Sequence, residues 1–155
     1  MKQRTFLVFP IIALLLSLFV PRAFAEADID QHRECNQCGM DRKAYGYSRM
    51  LVEFKDGTQV GTCSLHCVVT ELHSNKSRVA GTFKVADRDS RQLIDAEKAV
   101  WTIGGKKRGV MTMRAKWAFS TREAAQKFVA SYGGAIAAWN DTLAAAVEDA
   151  APKSR

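Results

Sequence analysis

The sequence predicts a small α+β protein with two similar strand–strand–helix units in one compact domain. Three observations support this fold class. Asp56-Gly57 is a hairpin turn signal between two stretches of strand-forming residues. Apolar residues at helical spacing follow directly. The same order then recurs, more loosely, in the second half of the chain. A length of 155 residues suits one domain or two very small ones.

Residues 1–25 have the composition of a secretory signal peptide. The first residues are basic, Phe6 to Val20 is an apolar stretch, and Ala23-Phe24-Ala25 provides the small residues that a signal peptidase requires. We therefore expect cleavage before Glu26. At about 1.5 Å per residue, the apolar stretch falls short of a hydrocarbon core about 30 Å thick, so a membrane anchor is the weaker alternative.

The mature protein is expected to be exported to the periplasm and freely soluble. No cysteine stands at the cleavage site, which argues against a lipoprotein, and no other segment is long and apolar enough to span a membrane. We expect one metal-binding domain over residues 26–150 and a frayed tail over residues 151–155. The oligomeric state is left open.

The charge of the mature chain argues against a nucleic-acid partner. The whole sequence carries 23 Lys and Arg against 16 Asp and Glu, a formal charge of +7. Cleavage removes Lys2, Arg4 and Arg22 and no acid, which leaves an ordinary +4 over 130 residues. The basic turn Lys106-Lys107-Arg108 lacks the interleaved aromatic residues that binding of single-stranded nucleic acid would need.

The first unit is predicted between residues 45 and 72. Tyr45 to Phe54 contains the first strand, and Thr58 to Cys63 returns as the second strand after the hairpin turn. The apolar residues from Leu65 to Leu72 recur at i, i+3, i+4 and i+7, which predicts a short amphipathic helix that Ser64 can cap.

The second unit is predicted in the remainder of the chain. Its strands are expected at Gly81–Ala86, at Ala99–Ile103 and within Val110–Phe119. Ser120 to Glu123 fits a capping box, and the apolar stripe from Ala124 to Tyr132 predicts a helix that ends at Gly133-Gly134. A last helix is expected from Asn140 to Asp149.

The cysteines form two pairs with the spacing of a metal site. The pairs are Cys35 with Cys38 and Cys63 with Cys67, separated by 24 residues. The first pair lies on a turn in which Gly39 can take a positive φ. The second pair shares one helix face if the helix begins near Cys63, and His66 lies close to that face. Two such pairs together predict a metal site.

Three other interpretations of the cysteines stay open at this point. Export favours disulfides, and four cysteines allow three pairings. A C-x-x-C pair can also carry out thiol–disulfide exchange, although here it follows a polar leader instead of opening a helix after a strand. The third is a structural zinc site that uses all four cysteines.

Methionines near the cysteines favour copper over other metals. Met40 follows Cys38 by two residues, and Met111 and Met113 stand further on. A methionine is ordinarily core filler. Thiolate and thioether ligands without a cluster of carboxylates, however, select Cu(I) over hard cations. The expected metal is Cu(I), with Zn(II) as the alternative.

The same residues resemble the NosL family of bacterial copper-binding accessory proteins, which are associated with assembly of nitrous oxide reductase and so with denitrification. The resemblance covers about residues 34–145. Its matching segments are Cys35–Met40, Asp56-Gly57 with Cys63–Cys67, Leu93–Ala96, Val100–Gly104, Gly109–Thr112 and Lys116–Phe119.

The resemblance implies a fold of two strand–strand–helix units, related to a domain of organomercurial lyases, that binds Cu(I) and hands it to a client. It implies Cys38 and Met40 as copper ligands, with Met111 as the later methionine. Met113 is the alternative to Met111, because two residues apart on a strand both side chains point the same way. The further candidate metal residues are Cys35, Cys63, His66 and Cys67.

Two features depart from the family pattern. Many members are lipoproteins, and reductase-linked members carry an acidic stretch with a single cysteine where this chain has Cys63-Ser64-Leu65-His66-Cys67. We expect a Cu(I)-binding accessory protein, without catalytic turnover, that delivers copper to a periplasmic client such as nitrous oxide reductase. The alternatives are a protein-interaction module stabilised by zinc or disulfides, and a thiol oxidoreductase or metal–carbon lyase.

Overall fold

The computed structural model describes residues 27–151. The predicted signal peptide lies outside the described residues, as do residues 152–155 of the predicted tail. No helix between residues 27 and 151 is long and apolar enough to cross a membrane. The elements in chain order are α1 (Ala27–Gln31), β1 (Met50–Phe54), β2 (Gln59–Thr62), α2 (Leu65–Ser74), β3 (Ala80–Ala86), β4 (Leu93–Asp95), β5 (Val100–Ile103), β6 (Lys116–Phe119), α3 (Arg122–Tyr132), β7 (Ala135–Ala137) and α4 (Trp139–Ala150).

The two antiparallel sheets have similar strand connections. The strand order is β2-β1-β3-β4 in the first sheet and β6-β5-β7 in the second. In each unit the strand after the helix returns to pair with the unit's first strand, β3 with β1 and β7 with β5. The predicted α+β class is therefore confirmed. Gly81–Ala86 was expected in the second unit, but it belongs to β3 in the first sheet.

The hairpin between β1 and β2 forms at the predicted turn. Gly57 has φ +81°, and its N–H donates to the Phe54 carbonyl at 2.9 Å. The Asp56 carboxylate accepts the N–H of Thr58 at 2.9 Å. These local bonds set the β1–β2 register, in which Met50 stands opposite Thr62, and so bring the chain to Cys63 beside the start of β1.

The predicted helix ends are confirmed in part. Thr121 caps α3 by accepting the Ala124 N–H at 3.2 Å, so the predicted capping box from Ser120 to Glu123 is wrong by one position. The Ser120 N–H instead donates to Asp87. Gly133, with φ +74°, ends α3 as predicted. Ser64 precedes α2, but its side chain makes no capping hydrogen bond.

Two hydrophobic cores fill the molecule. The first lies between β1, β3, α2 and α4 and contains Met50, Val52, Phe54, Val68, Trp101 and Trp139. The second contains three of the cysteines together with β6 and α3, and its members include Cys35, Cys63, Cys67, Val110, Trp117, Phe119 and Phe128. The fold thus surrounds the cysteine sulfurs with aromatic and aliphatic side chains.

A buried ionic group attaches the N-terminal arm to the first sheet. Arg42 and Arg49, with 0% and 1% of their side chains exposed, pair with Asp28 at 2.7 and 2.9 Å. Arg42 also donates to the carbonyls of Thr62 and Met50 at 3.2 and 3.0 Å. Burial opposes ionisation of Asp28, but hydrogen bonds and charge attraction from both arginines outweigh it and lower its pKa below 3.8.

Gly61 leaves the space that this arm occupies on β2. A Cβ at this position would lie 2.5 Å from the Cβ of His32 and 2.7 Å from the Cζ of Arg42. Any larger residue would push the arm, and the cysteine turn that it carries, away from the sheet.

We expect Asp28→Ala to lower the free energy of unfolding by about 3–5 kcal/mol, because it leaves two buried guanidinium groups without their carboxylate. Denaturant unfolding at pH 7 measures the loss. Asp30→Ala is the matched control, since Asp30 lies on the same short helix and is exposed. Equal effects of the two substitutions would contradict the role assigned to Asp28.

Candidate metal centre

The first cysteine pair lies on a closed turn. The Gly39 N–H donates to the Cys35 carbonyl at 2.8 Å, and the Cys35 N–H donates to the Met40 carbonyl at 2.9 Å. Gly39 takes φ +71°, as the sequence predicted, in the left-handed region that favours glycine. The turn brings the thiols of Cys35 and Cys38 to the same side.

The second cysteine pair stands at the start of α2. Cys63 precedes the N-cap residue Ser64, and Cys67 lies in the first helical turn, so their Sγ atoms are 3.7 Å apart. The helix begins after Cys63, so the pair does not share a helix face as expected, but the two sulfurs still lie together.

All four cysteines meet in one group. The Sγ atom of Cys38 lies 3.6 Å from that of Cys63 and 3.8 Å from that of Cys67, and all four sulfurs lie within 4.8 Å of one another. A Zn–S bond of about 2.3 Å gives sulfur–sulfur edges of about 3.8 Å in a tetrahedron, so the spacing fits one metal ion. A disulfide needs about 2.05 Å, and all four cysteines are free thiols.

Access to the group is uneven. Cys35, Cys63 and Cys67 are buried, with 2%, 0% and 2% exposed, whereas Cys38 is half-buried. Cys38 is therefore the sulfur that an incoming ion or a partner's ligand meets first.

The thiols influence one another's ionisation. Hydrogen bonds from the thiols of Cys63 and Cys67 lower the pKa of Cys35. The bonds to Cys35, together with burial, raise the pKa of Cys63 and raise that of Cys67 to about 12. A bound cation would replace these protons, so metal binding at the group is expected to release protons.

Of the candidate thioether ligands, Met40 packs against the second core beside the cysteines. Met111 and Met113 are exposed, by 44% and 79%. The strand predicted to carry them is shorter than expected, since β6 begins at Lys116 and Met111 has φ +59°. The argument that both side chains point the same way by strand spacing is therefore wrong.

The segment that carries Met111 and Met113 is attached to the end of α4. Asp149 accepts a hydrogen bond from Thr112 Oγ1 at 3.0 Å, another from Arg114 Nε at 3.1 Å, and a third from the buried Lys116 ammonium. Partial burial opposes ionisation of Asp149, but these three donors outweigh it and lower its pKa to about 2. One carboxylate thus fixes the course of the chain on both sides of Met113.

His66 lies apart from the four-sulfur group. Its side chain lines a cavity of about 10 Å³ with Ser48, Thr112 and Lys116. Within the described part of the chain, the buried Nδ1 of His66 has no hydrogen-bond partner.

Two further groups that support the site were not identified from the sequence. Glu71 on α2 is 1% exposed and accepts hydrogen bonds from the amides of Asn36 and Gln37, the two residues between the first cysteines. Glu71 follows Cys67 by four residues, so the sequence alone places the two side chains on the same face of the helix. The sequence gives no indication that Arg42 is buried, because its partners are distant in sequence.

Fold and site together define a small α+β protein with a buried centre of four thiols. A sequence model of the NosL family matches residues 26–147, and the chain belongs to this family. The fold is similar to the crystal structure of the copper chaperone NosL from Shewanella denitrificans, with a TM-score of 0.59 and 21% identity. The similarity covers 73% of this chain and 91% of that chain. No curated protein matches the sequence.

We expect Asp149→Asn to reduce stability at pH 7 by about 1.5–3 kcal/mol, the range for hydrogen bonds to charged groups. Since the folded pKa is lowered, the contribution is complete above pH 3.8 and is lost as the pH falls through about 2. The acid side of the stability curve should flatten accordingly. The control Asp141→Asn, exposed on the same helix, should keep the wild-type slope. Parallel curves for wild type and Asp149→Asn would contradict this.

Proposed function

We propose that this chain is an exported Cu(I)-binding accessory protein that delivers copper to a periplasmic client such as nitrous oxide reductase, without catalytic turnover of its own. The observation that carries the proposal is the group of four close sulfurs with one half-buried member, Cys38. Membership of the NosL family supports it, as does the similar fold of a protein described as a copper chaperone.

The donor set supports copper over hard cations. The group of close metal-binding side chains found between residues 27 and 151 consists of cysteines alone, without a carboxylate or an imidazole. Soft thiolates select Cu(I) and Zn(II) and are poor ligands for Mg²⁺, Ca²⁺ and Mn²⁺. The half-buried thioether of Met40, beside the cysteines, adds a ligand that Cu(I) accepts and Zn(II) does not favour.

In the proposed mechanism the cargo enters and leaves at Cys38. The Cys38 thiolate and the Met40 and Met111 thioethers hold Cu(I) at the accessible end of the group. Cys35, Cys63 and Cys67 supply thiolates from the buried side. A ligand of the client binds the ion before the exposed ligands of this chain leave, so copper is transferred without being released into water.

A second candidate function follows from the sulfur–sulfur distances. The sulfurs of Cys38, Cys63 and Cys67 are 3.6–3.8 Å apart and that of Cys35 lies within 4.8 Å of them, which fits a tetrahedral Zn(II) site that would stabilise a protein-interaction module. Metal analysis of protein purified from the periplasm separates the two candidates. One tightly held zinc per chain, with no uptake of Cu(I) by the reduced protein, would favour this second function.

We expect Cys38→Ser to weaken Cu(I) binding at least tenfold, which is about 1.4 kcal/mol, because it removes the accessible thiolate. Met40→Leu and Met111→Leu should weaken binding less, since they remove neutral ligands of similar volume. Anaerobic titration of reduced protein against a competing Cu(I) chelator measures all three. Met113→Leu, at the more exposed methionine of the same segment, is the control and should bind as wild type does. An unchanged Cu(I) affinity in Cys38→Ser and Met40→Leu would contradict the assignment of these residues as copper ligands.

We expect copper-loaded protein to load copper-free nitrous oxide reductase faster than chelator-buffered Cu(I) does at the same free concentration. Direct transfer avoids free copper, so the rate should rise with the concentration of the loaded protein. Metal content of the re-isolated reductase over time gives the measurement. A rate that depends only on free Cu(I) would argue against delivery to this client.

A further inference from the structure

A buried carboxylate connects the two cysteine pairs. Glu71 lies one helical turn after Cys67 on α2, and only 1% of the residue is exposed. Removing a carboxylate from water is costly unless hydrogen bonds replace the lost hydration. The hydrogen-bond partners of Glu71 therefore indicate its structural role.

Two of these partners stand inside the C-x-x-C segment. The Asn36 amide Nδ2 donates to Glu71 Oε2 at 2.8 Å, and the Gln37 amide donates to the same oxygen. These residues are the entire link between Cys35 and Cys38. The other carboxylate oxygen accepts the Asn75 amide, also at 2.8 Å, from the end of α2 itself. Glu71 thus holds the first cysteine pair from the helix that carries the second.

A second contact holds the same turn through its main chain. The Asn36 N–H donates to the Gly61 carbonyl of β2 at 3.0 Å. This bond holds the turn at one residue. The two side-chain bonds to Glu71 restrain the turn from a different element and act on both of its middle residues.

We propose that Glu71 is a positioning residue for the metal centre: through Asn36 and Gln37 it holds Cys38 within reach of the ion that Cys63 and Cys67 bind. Cys38 is the sulfur that depends most on this, because the other three are fixed by burial. Loss of the bridge moves Cys38 outward and leaves a site with fewer ligands. The proposal rests on the proposed function only in requiring a thiolate-bound metal ion.

The structure provides a matched control for this role. Asn36 and Asn75 donate equivalent amide hydrogen bonds to the same carboxylate, but only Asn36 lies on the cysteine turn. Asn36→Ala and Gln37→Ala remove the bridge from an exposed or half-buried turn and leave Glu71 on its helix. Asn75→Ala removes a bond of the same kind and leaves the bridge intact.

The test uses Co(II) alone as a probe of reduced, anaerobic mature protein, because its thiolate charge-transfer and visible bands report the number and geometry of sulfur ligands. We expect Asn36→Ala, Gln37→Ala and Glu71→Gln to weaken Co(II) binding about 10–100-fold and to reduce the charge-transfer intensity. Asn75→Ala should retain the wild-type affinity and spectrum. Thermal unfolding of each metal-free variant identifies any substitution that acts by loss of folding.

Several results would overturn the positioning role. Equal losses in Asn75→Ala and Asn36→Ala would make the effect one of general stability. Tighter binding by Glu71→Gln would show that its charge, and not its position, matters. A wild-type protein without any thiolate–Co(II) band would also reject it. A Cu(I) competition titration on the same samples tests the proposed function separately. Normal Co(II) spectra together with weak Cu(I) binding would contradict the copper role but would not contradict the role of Glu71.

Discussion

The arrangement of the metal centre depends on one buried guanidinium, that of Arg42. Arg42 follows the first cysteine turn by two residues and is bonded to the carbonyl of Thr62, the residue before Cys63. It forms an ion pair with Asp28, which also pairs with Arg49. Because a buried ion pair is costly to break by removing one partner, this group fixes the distance between the end of one cysteine pair and the start of the other. Stability and site geometry are therefore coupled in this protein.

Apolar contacts and hydrogen bonds hold different parts of the metal centre. Aromatic and aliphatic side chains of β6 and α3 surround three of the cysteines and exclude water, which keeps these thiols from exchange with solvent. Two carboxylates, those of Glu71 and Asp149, hold the segments that carry the more accessible sulfurs, namely the cysteine turn and the segment of Met111 and Met113. Each carboxylate replaces hydrogen bonds that an irregular segment would otherwise make with water. Irregular backbone can thus be held close to a buried site.

Local features of this chain were predictable, whereas long-range contacts were predictable only where metal-ligand spacing indicated them. The Asp56-Gly57 hairpin, the end of α3 at Gly133 and the meeting of the four cysteines all follow from signals within a few residues or from ligand spacing. The return of β3 to β1 was missed, because strand pairing across a helix leaves no mark in either strand's pattern. The course of the Met111 segment was missed because Asp149, more than 30 residues away, determines it. A buried charge such as that of Arg42 is taken for a surface residue until its partners are known.

The difference between a structural and a transferring site lies in how its most accessible ligand is held. A structural zinc site is closed, with all of its ligands fixed. Here three sulfurs are fixed by apolar packing, which a change at the surface does not disturb. The fourth, Cys38, is half-buried and is held by a turn whose middle residues bond to one carboxylate. Cys38 is thus held through hydrogen bonds made by its turn, whereas the other three sulfurs are held by buried apolar contacts. The four sulfurs are therefore not equivalent, and Cys38 is the one whose position a change at the surface can alter.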